Sequence, residues 1–247
     1  MQKTHRINLW SSPRNISTAL MYAFAQRSDT QVVDEPLYAH YLTHCKERAQ
    51  HPGEADILAS QPHHGEKVVQ DLFLGPPSAP VMIFKQMTHH LVDLDWSFLE
   101  KMQNVMLIRS PREIIASYAK VIQTPQASDI GVLKQLQLKR YLEKTRSLSA
   151  ILDTNELLKD PEGVLRRLCE DYLEIPFQPE MLTWAAGPRP EDGIWATYWY
   201  NNVHRSTGFQ PYQAREIKLP APLEELAQEC QPAYLELFDL AIKANKI

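Results

Sequence analysis

Five short apolar, β-branched runs punctuate this chain: INLWS (7–11), QVVDE (31–35), VMIFKQM (81–87), NVMLIRS (104–110) and SAILDT (149–154). Polar residues or prolines bound each run, and helical patterns lie between most of them. Strands alternating with helices argue for a mostly parallel sheet covered on both faces. The reading is therefore an α/β fold, a single domain over residues 1–247 with a central sheet flanked by helices.

The helix ends are legible. Asn15 or Ser17 is placed to cap a first helix, and Pro111 opens PREIIASYAKVI, where a missing N–H has no partner to lose. DIGVLKQLQLKRYLEKTRSL (129–148) carries apolar residues at helical spacing and reads as one helix. Asp160-Pro161 starts another, and PLEELAQEC with AYLELFDLAIKA closes the chain as helices within 222–247. Residues 44–66 read as a short helix and a loop. Residues 185–221, rich in proline and aromatics, read as a long ordered loop, a lid or an acceptor loop rather than a linker.

Composition narrows the function classes. A net charge of −4 advertises neither nucleic acid nor membrane binding, so any anion site must be a local cluster of cations. No window approaches the ~20 apolar residues of a membrane span, and the first residues lack a signal-peptide run. Cys45, Cys169 and Cys230 are far apart and odd in number, which fits buried thiols in a reducing cytoplasm. No motif sets an oligomeric state.

In NLWSSPRNISTALMYAF (8–24), a strand turns at Pro13 into a helix with Arg14, Asn15, Ser17 and Thr18 at its mouth. In a parallel sheet that mouth faces the ligand crevice, and its free N–H groups and positive dipole end suit a phosphate. Ser17 and Thr18 add hydroxyls, and Arg14 adds a guanidinium fork. The same residues also fit a capped helix with a surface arginine. The ordinary phosphate loop G-x-x-x-x-G-K-[ST] is absent, which disfavours triphosphate hydrolysis and leaves a single 5′-phosphate as the better fit. Further on, Arg109 ends a strand, and Ser117 lies two turns into the helix that begins at Pro111. The pair is spaced to pinch a second phosphate.

At these residues the chain resembles the sulfotransferase family, which uses 3′-phosphoadenosine 5′-phosphosulfate (PAPS). Pro13 to Thr18 is similar to its first motif, Pro-Lys/Arg-x-Gly-[ST]-Thr, with Ile16 in place of glycine. Arg109 and Ser117 match its Arg and Ser eight apart. Lys85, 24 residues before Arg109, keeps the distance of a strand-end lysine. LDTNELLKDPEGVLRRLCEDYLEIPF resembles a later stretch through Leu157, Asp160-Pro161, Leu165 and Ile175, and Arg205, Ser206, Thr207 and Gly208 resemble the loop that closes over the 3′-phosphate. The resemblance implies a phosphate-loop-type fold and PAPS as donor. It also implies a nucleotide site of Arg14, Asn15, Ser17, Thr18, Arg109, Ser117 and residues 205–208. If the position of Ile16 needed a positive φ, its branched side chain would be strained.

Transfer to an alcohol needs a base. Glu35, at the end of the second strand, is the first choice; in some relatives a glutamate there has that role. Strand alternation sends its neighbour Asp34 the other way. His40, His89 and His90 compete, although the position of the relatives' histidine is Met87. Arg14 and Lys85 would neutralise the leaving phosphate or reach the transferring group. No metal is expected, since the histidine pairs at 63–64 and 89–90 lack further ligands at suitable spacing. Trp184, Trp195, Tyr198, Trp199 and Tyr200 line an acceptor pocket, stack on the adenine or pack under the loop. The function expected is a cytoplasmic sulfotransferase with a small-molecule or carbohydrate acceptor. A phosphotransferase of related fold, with Asp34 on magnesium, and a degenerate nucleotide-binding module are the alternatives.

Overall fold

A computed structural model describes residues 4–46, 48, 50–120, 125–214 and 216–245. Its five strands are β1 (His5–Ser11), β2 (Thr30–Asp34), β3 (Val81–Met87), β4 (Gln103–Ile108) and β5 (Leu148–Asp153). They form one sheet in the order β2-β3-β1-β4-β5, and every pairing is parallel. All five carboxyl ends therefore lie along one edge, so Ser11, Asp34, Met87, Ile108 and Asp153 hand the chain to loops on the same side.

Alternation along the strands builds two cores. Ile7, Leu9, Ile83, Val105 and Leu107 face one way, onto α1 (Ser17–Ala25), with its buried Leu20, Met21 and Phe24. Trp10, Phe84, Met106 and Ile108 face the other core. A β-strand covered on both faces reads as a continuous apolar run, which is why these segments stood out in the sequence. Four short helices follow: α2 (Tyr38–His44), α3 (Glu54–Ser60), α4 (Gly65–Val68) and α5 (Pro111–Tyr118).

The stretch expected as one helix over 129–148 is two. Gly131, at φ +77, ends α6 (Ala127–Ile130), and α7 (Val132–Lys144) begins after it. The left-handed backbone suits glycine and cannot continue an α-helix. Leu148 belongs to β5, not to the helix. Asp153 caps α8 (Thr154–Lys159), and Asp160 with Pro161 opens α9 (Pro161–Arg167) as read. Two single-turn helices, α10 (Ala196–Trp199) and α11 (Asn201–His204), interrupt the long loop. The last segment is one helix, α12 (Ala221–Asp239), that runs through Pro232 and packs on α5 and α7. Helix α5 was expected to run to residue 122; residues 121–124 lie outside the described residues.

One buried amide ties the lower edge of the sheet. Asn104 Oδ1 accepts from Asn8 Nδ2 (3.1 Å) and Trp10 Nε1 (3.0 Å). Its Nδ2 donates toward the carbonyls of Leu99, Met102 and Ser147. Removing the amide strands buried donors and acceptors on β1, β4 and the approach to β5. Asn104→Ala is predicted to destabilise the protein by about 2–4 kcal/mol in urea unfolding; a loss below about 0.5 kcal/mol would show that this amide does not tie the strands.

Candidate active site

The turn after β1 holds its shape without glycine. Ile16 sits at φ −91, ψ 25, an ordinary conformation that does not strain a branched side chain. The left-handed residue is Arg14, at φ +56. Neither expected cap forms. Ile16 occupies the N-cap position, and Asn15 Oδ1 accepts its N–H at 2.9 Å. The Asn15 side chain also donates to Leu107 O (3.0 Å) and accepts from the hydroxyl of Thr154. Asn15 thus fastens the turn to β4 and to the start of α8. Thr154 was not anticipated, because nothing local marks a threonine that meets a turn 139 residues away.

The two anchors read from the sequence meet. Arg14 Nε donates to Ser117 Oγ at 3.1 Å, and Arg109 Nη1 donates to the carbonyl of Arg14 at 2.8 Å. Arg109 Nε lies 3.5 Å from Glu113 Oε2. Burial first, and the charge of Arg109 second, push the Arg14 guanidinium below its ordinary value. An anion between the two arginines would relieve both effects. Ser17 and Thr18 line the same cavity, of about 550 Å³, as do Arg14, Arg109 and Ser117.

At the ends of β2 and β3 stands a buried charge cluster. Lys85 is fully buried, and its Nζ donates to Asp34 Oδ1 (2.8 Å), Glu35 Oε1 (2.5 Å) and Tyr200 Oη (2.7 Å). An ammonium has three N–H donors, so these partners engage all of them. Lys85 is therefore an orienting cation rather than a free one. Alternation predicted that Asp34 and Glu35 would diverge, and this is corrected. Glu35 has φ +40, so the strand's two-residue period stops at Asp34 and both carboxylates turn onto the same ammonium. Tyr200 Oη donates to Asp34 Oδ2 at 2.7 Å and accepts from Trp195 Nε1 at 3.1 Å, and the Gly193 N–H donates to Asp34 Oδ2 at 3.1 Å. Burial raises the pKa of Glu35, and the ammonium of Lys85 opposes that rise. Glu35 lines the cavity.

Beyond Glu35 the cavity wall is aromatic. His90 is stacked between Tyr38 (4.9 Å) and Tyr41 (4.8 Å), and His89 meets Tyr41 edge-on. His51 Nδ1 lies 2.6 Å from Tyr38 Oη. His89 and His90 line the cavity, but burial holds His89 down to about 3 and His90 well below the usual histidine range. His40 does not line it; its Nε2 meets Val92 O (2.8 Å) and its Nδ1 accepts from Gly65 N–H (3.1 Å). Of the late loop, Ser206 and Gly208 reach the wall, whereas Arg205 and Thr207 are exposed and do not. Arg205 ends α11 in a helical conformation (φ −89, ψ −6) and Thr207 lies in the bend before Gly208, which bridges to Thr183 as a short antiparallel pair, so the chain here is a helix end and a turn. Trp195, Trp199 and Tyr200 line the cavity, Trp184 packs against Tyr22, and Tyr198 is exposed. Tyr38, Tyr41 and His51 escaped the sequence reading. The only local signal was the spacing of two tyrosines three apart on one helix face.

Two of these imidazoles make acid stability readable. Burial lowers His51 to about 4 and His89 to about 3, against about 6.5 in an unfolded chain. Above that value both states are neutral and stability is full. As pH falls below it, the unfolded chain binds protons that the folded one refuses, and stability drops until pH 4–3. From pH 7 to 5 the unfolding free energy is predicted to fall by about 2–4 kcal/mol, and less in His51→Gln. Equal urea midpoints at the two pH values would contradict neutral burial of these rings.

Comparisons with known proteins agree with this geometry. The family model described as "Sulfotransferase domain" matches residues 5–236. Among solved structures, the chain is similar to the sulfotransferase domain from the curacin biosynthetic pathway, at 19% identity and a TM-score of 0.53, covering 93% of this chain and 97% of that one. It is also similar to a sulfotransferase from Alicyclobacillus acidocaldarius, at 15% identity and a TM-score of 0.55, covering 96% and 95%. Both likenesses are of fold. Two curated proteins of Arabidopsis thaliana, branched-chain-amino-acid aminotransferase-like proteins 2 and 1, are each 39% identical over 92% and 95% of this chain. The chain spans only 40% and 42% of their length. With a parallel sheet in this order, a strand–turn–helix cradle and a family match across nearly its whole length, the chain belongs to the sulfotransferase family.

Proposed function

We propose that the protein moves a sulfuryl group from PAPS to a hydroxyl or amine of a small-molecule or carbohydrate acceptor. The observation that carries this reading is the meeting of Arg14, Arg109 and Ser117 in the same cavity as Glu35. One end of the cavity is a place for phosphates, and the other offers a base beside aromatic walls. The donor's phosphates fit the first end: guanidinium forks and hydroxyls match their oxygens, and the first amides of α1 have no intrahelical partner. Ser206 and Gly208 line the same cavity from the late loop. Buried free thiols at Cys169 and Cys230 support a reducing, cytoplasmic setting.

In the transfer, the acceptor's O–H proton passes to Glu35 and a new bond forms from acceptor oxygen to sulfur. The bond from sulfur to the 5′-phosphate oxygen breaks and leaves its electron pair on that oxygen, where Arg14 and the α1 amides neutralise it. Glu35 suits the base role better than His89 or His90. Burial raises its basicity, while it lowers that of the two imidazoles. The aminotransferase in the relatives' names belongs to proteins more than twice this length. In this chain Lys85 is held as an ammonium between two carboxylates, and an ammonium is not a nucleophile.

Calorimetry tests the donor site. 3′-Phosphoadenosine 5′-phosphate is expected to bind, and Arg109→Ala or Ser117→Ala to weaken it by about 10–100-fold while barely changing 5′-AMP. Equal affinity for the bisphosphate and 5′-AMP in the parent protein would remove the donor assignment. Glu35→Gln is expected to slow release of the bisphosphate from PAPS, across a panel of phenols, amines and sugars, by about 10²–10⁴-fold. Its nucleotide affinity should stay within about twofold. A fully active Glu35→Gln protein would move the base to a histidine.

A further inference from the structure

The two carboxylates on Lys85 are not equivalent. Asp34 receives three donors: the Lys85 ammonium, the Tyr200 hydroxyl and the Gly193 N–H. It does not line the cavity. Glu35 lines the cavity and receives the Lys85 ammonium at 2.5 Å. Two of the three donors on Asp34 come from the segment 193–200, which also supplies Trp195 to the Tyr200 oxygen. That segment is pinned again where Tyr22 Oη donates to Asp192 Oδ1 at 2.6 Å. A carboxylate fixed in this way makes two demands on Lys85: where the ammonium sits, and how much of its charge is left for Glu35.

We propose that Asp34, working through Lys85 and Tyr200, is a positioning residue: it divides the charge of Lys85 so that Glu35 stays aimed into the cavity and only partly neutralised. The inference rests on the reading of Glu35 as the proton acceptor. The charge count explains why the arrangement matters. One ammonium and two buried carboxylates leave the cluster one negative charge in excess. When Glu35 takes the acceptor's proton, the excess disappears and Lys85 is left paired with Asp34 alone. With a single carboxylate, the same lysine would hold Glu35 as a saturated ion pair, and the proton would have to displace the ammonium. Tyr200 contributes because its hydroxyl lies between the two charged groups, accepting from Lys85 and donating to Asp34.

The groups facing Glu35 are few and named. Lys85 reaches it from β3, Asp34 precedes it on β2, and the phenols of Tyr38 on α2 and Tyr200 beside α11 sense its charge. The imidazole of His90, on the turn after β3, is near Lys85 and is held neutral by burial. Of these, Asp34 is the one whose negative charge raises the pKa of Glu35.

The test follows the carboxyl itself and needs no acceptor. Protein labelled with ¹³C at glutamate carboxyls is titrated by NMR, with the Glu35 signal assigned by its loss in Glu35→Gln. In Asp34→Asn, the full charge of Lys85 passes to Glu35, and the titration midpoint is expected to fall by about one pH unit or more, tenfold in acid dissociation. In Tyr200→Phe it is expected to fall by less, because Lys85 loses a neutral acceptor and leans harder on both carboxylates. A midpoint that is unchanged or higher in either folded variant overturns the proposal; should Asp34→Asn not fold, Tyr200→Phe decides alone. Calorimetry with 3′-phosphoadenosine 5′-phosphate runs on the Asp34→Asn sample and is expected to change by less than about twofold, since Asp34 does not line the cavity. Failure of the parent protein to bind that nucleotide would defeat the donor assignment and leave the titration result standing.

Discussion

A buried lysine has to be answered by charge, and the answer given to Lys85 organises the upper edge of this molecule. Its ammonium sits where no water reaches, so desolvation works against it until Asp34 and Glu35 close on it. Closing on it joins β2 to β3 at their carboxyl ends. It also draws down the segment 193–200 through Tyr200 and Gly193. The Tyr22–Asp192 hydrogen bond and the Thr183–Gly208 bridge hold the same long loop at other points. The cluster is thus a structural joint that also sets Glu35 on the cavity wall. Buried ion clusters are rarely the most stabilising solution for a core, since apolar packing often does as well.

What could be read from the sequence was what is local. Strand positions came from β-branched runs that must be buried on both faces, and the helix openings at Pro111 and Asp160-Pro161 came from capping chemistry that acts within one turn. That Arg109 and Ser117 face one cavity was legible because eight residues of strand end and helix have a fixed geometry. The convergence of Asp34 and Glu35 was not. It depends on a positive φ at Glu35, and no residue type at that position announces a left-handed glutamate. Ile16 illustrates the reverse case: the missing glycine looked like a source of strain, yet the left-handed backbone is two residues earlier, at Arg14. Tyr200 was visible as an aromatic, but its partner lies 115 residues away, beyond any periodicity.

The corrections share one cause. Helix 129–148 failed as a single element because Gly131 adopts φ +77, where the apolar spacing alone would have continued. Arg205 and Thr207 failed as wall residues because the chain there is a helix end and a bend, where Arg205 takes a helical φ of −89 and both side chains are left exposed. In each case a side-chain pattern was read correctly, and a backbone angle decided which way it pointed. Sequence periodicity assumes regular backbone, and the functional edge of a parallel sheet is where regular backbone ends.

The cavity that results carries opposite charges at its two ends. Arg14 and Arg109 make one end cationic, and the Lys85 cluster with its extra carboxylate makes the other anionic. The rest of the wall carries hydroxyls, aromatic rings, imidazoles that burial keeps neutral, and one further charge of each sign, Asp129 and Lys134. In a site of low dielectric such a gradient is felt strongly. On the proposed function, an anionic donor is drawn to the arginine end and the acceptor's polar hydrogen to the carboxylate end. Where the two meet, a group that departs with negative charge on one side and a proton that leaves on the opposite side both move along the field. The protein then has little covalent work to do. Its contribution is to keep the two ends apart, and the sheet does that, because the arginines follow β1 and β4 while β2 delivers the carboxylates and β3 the lysine.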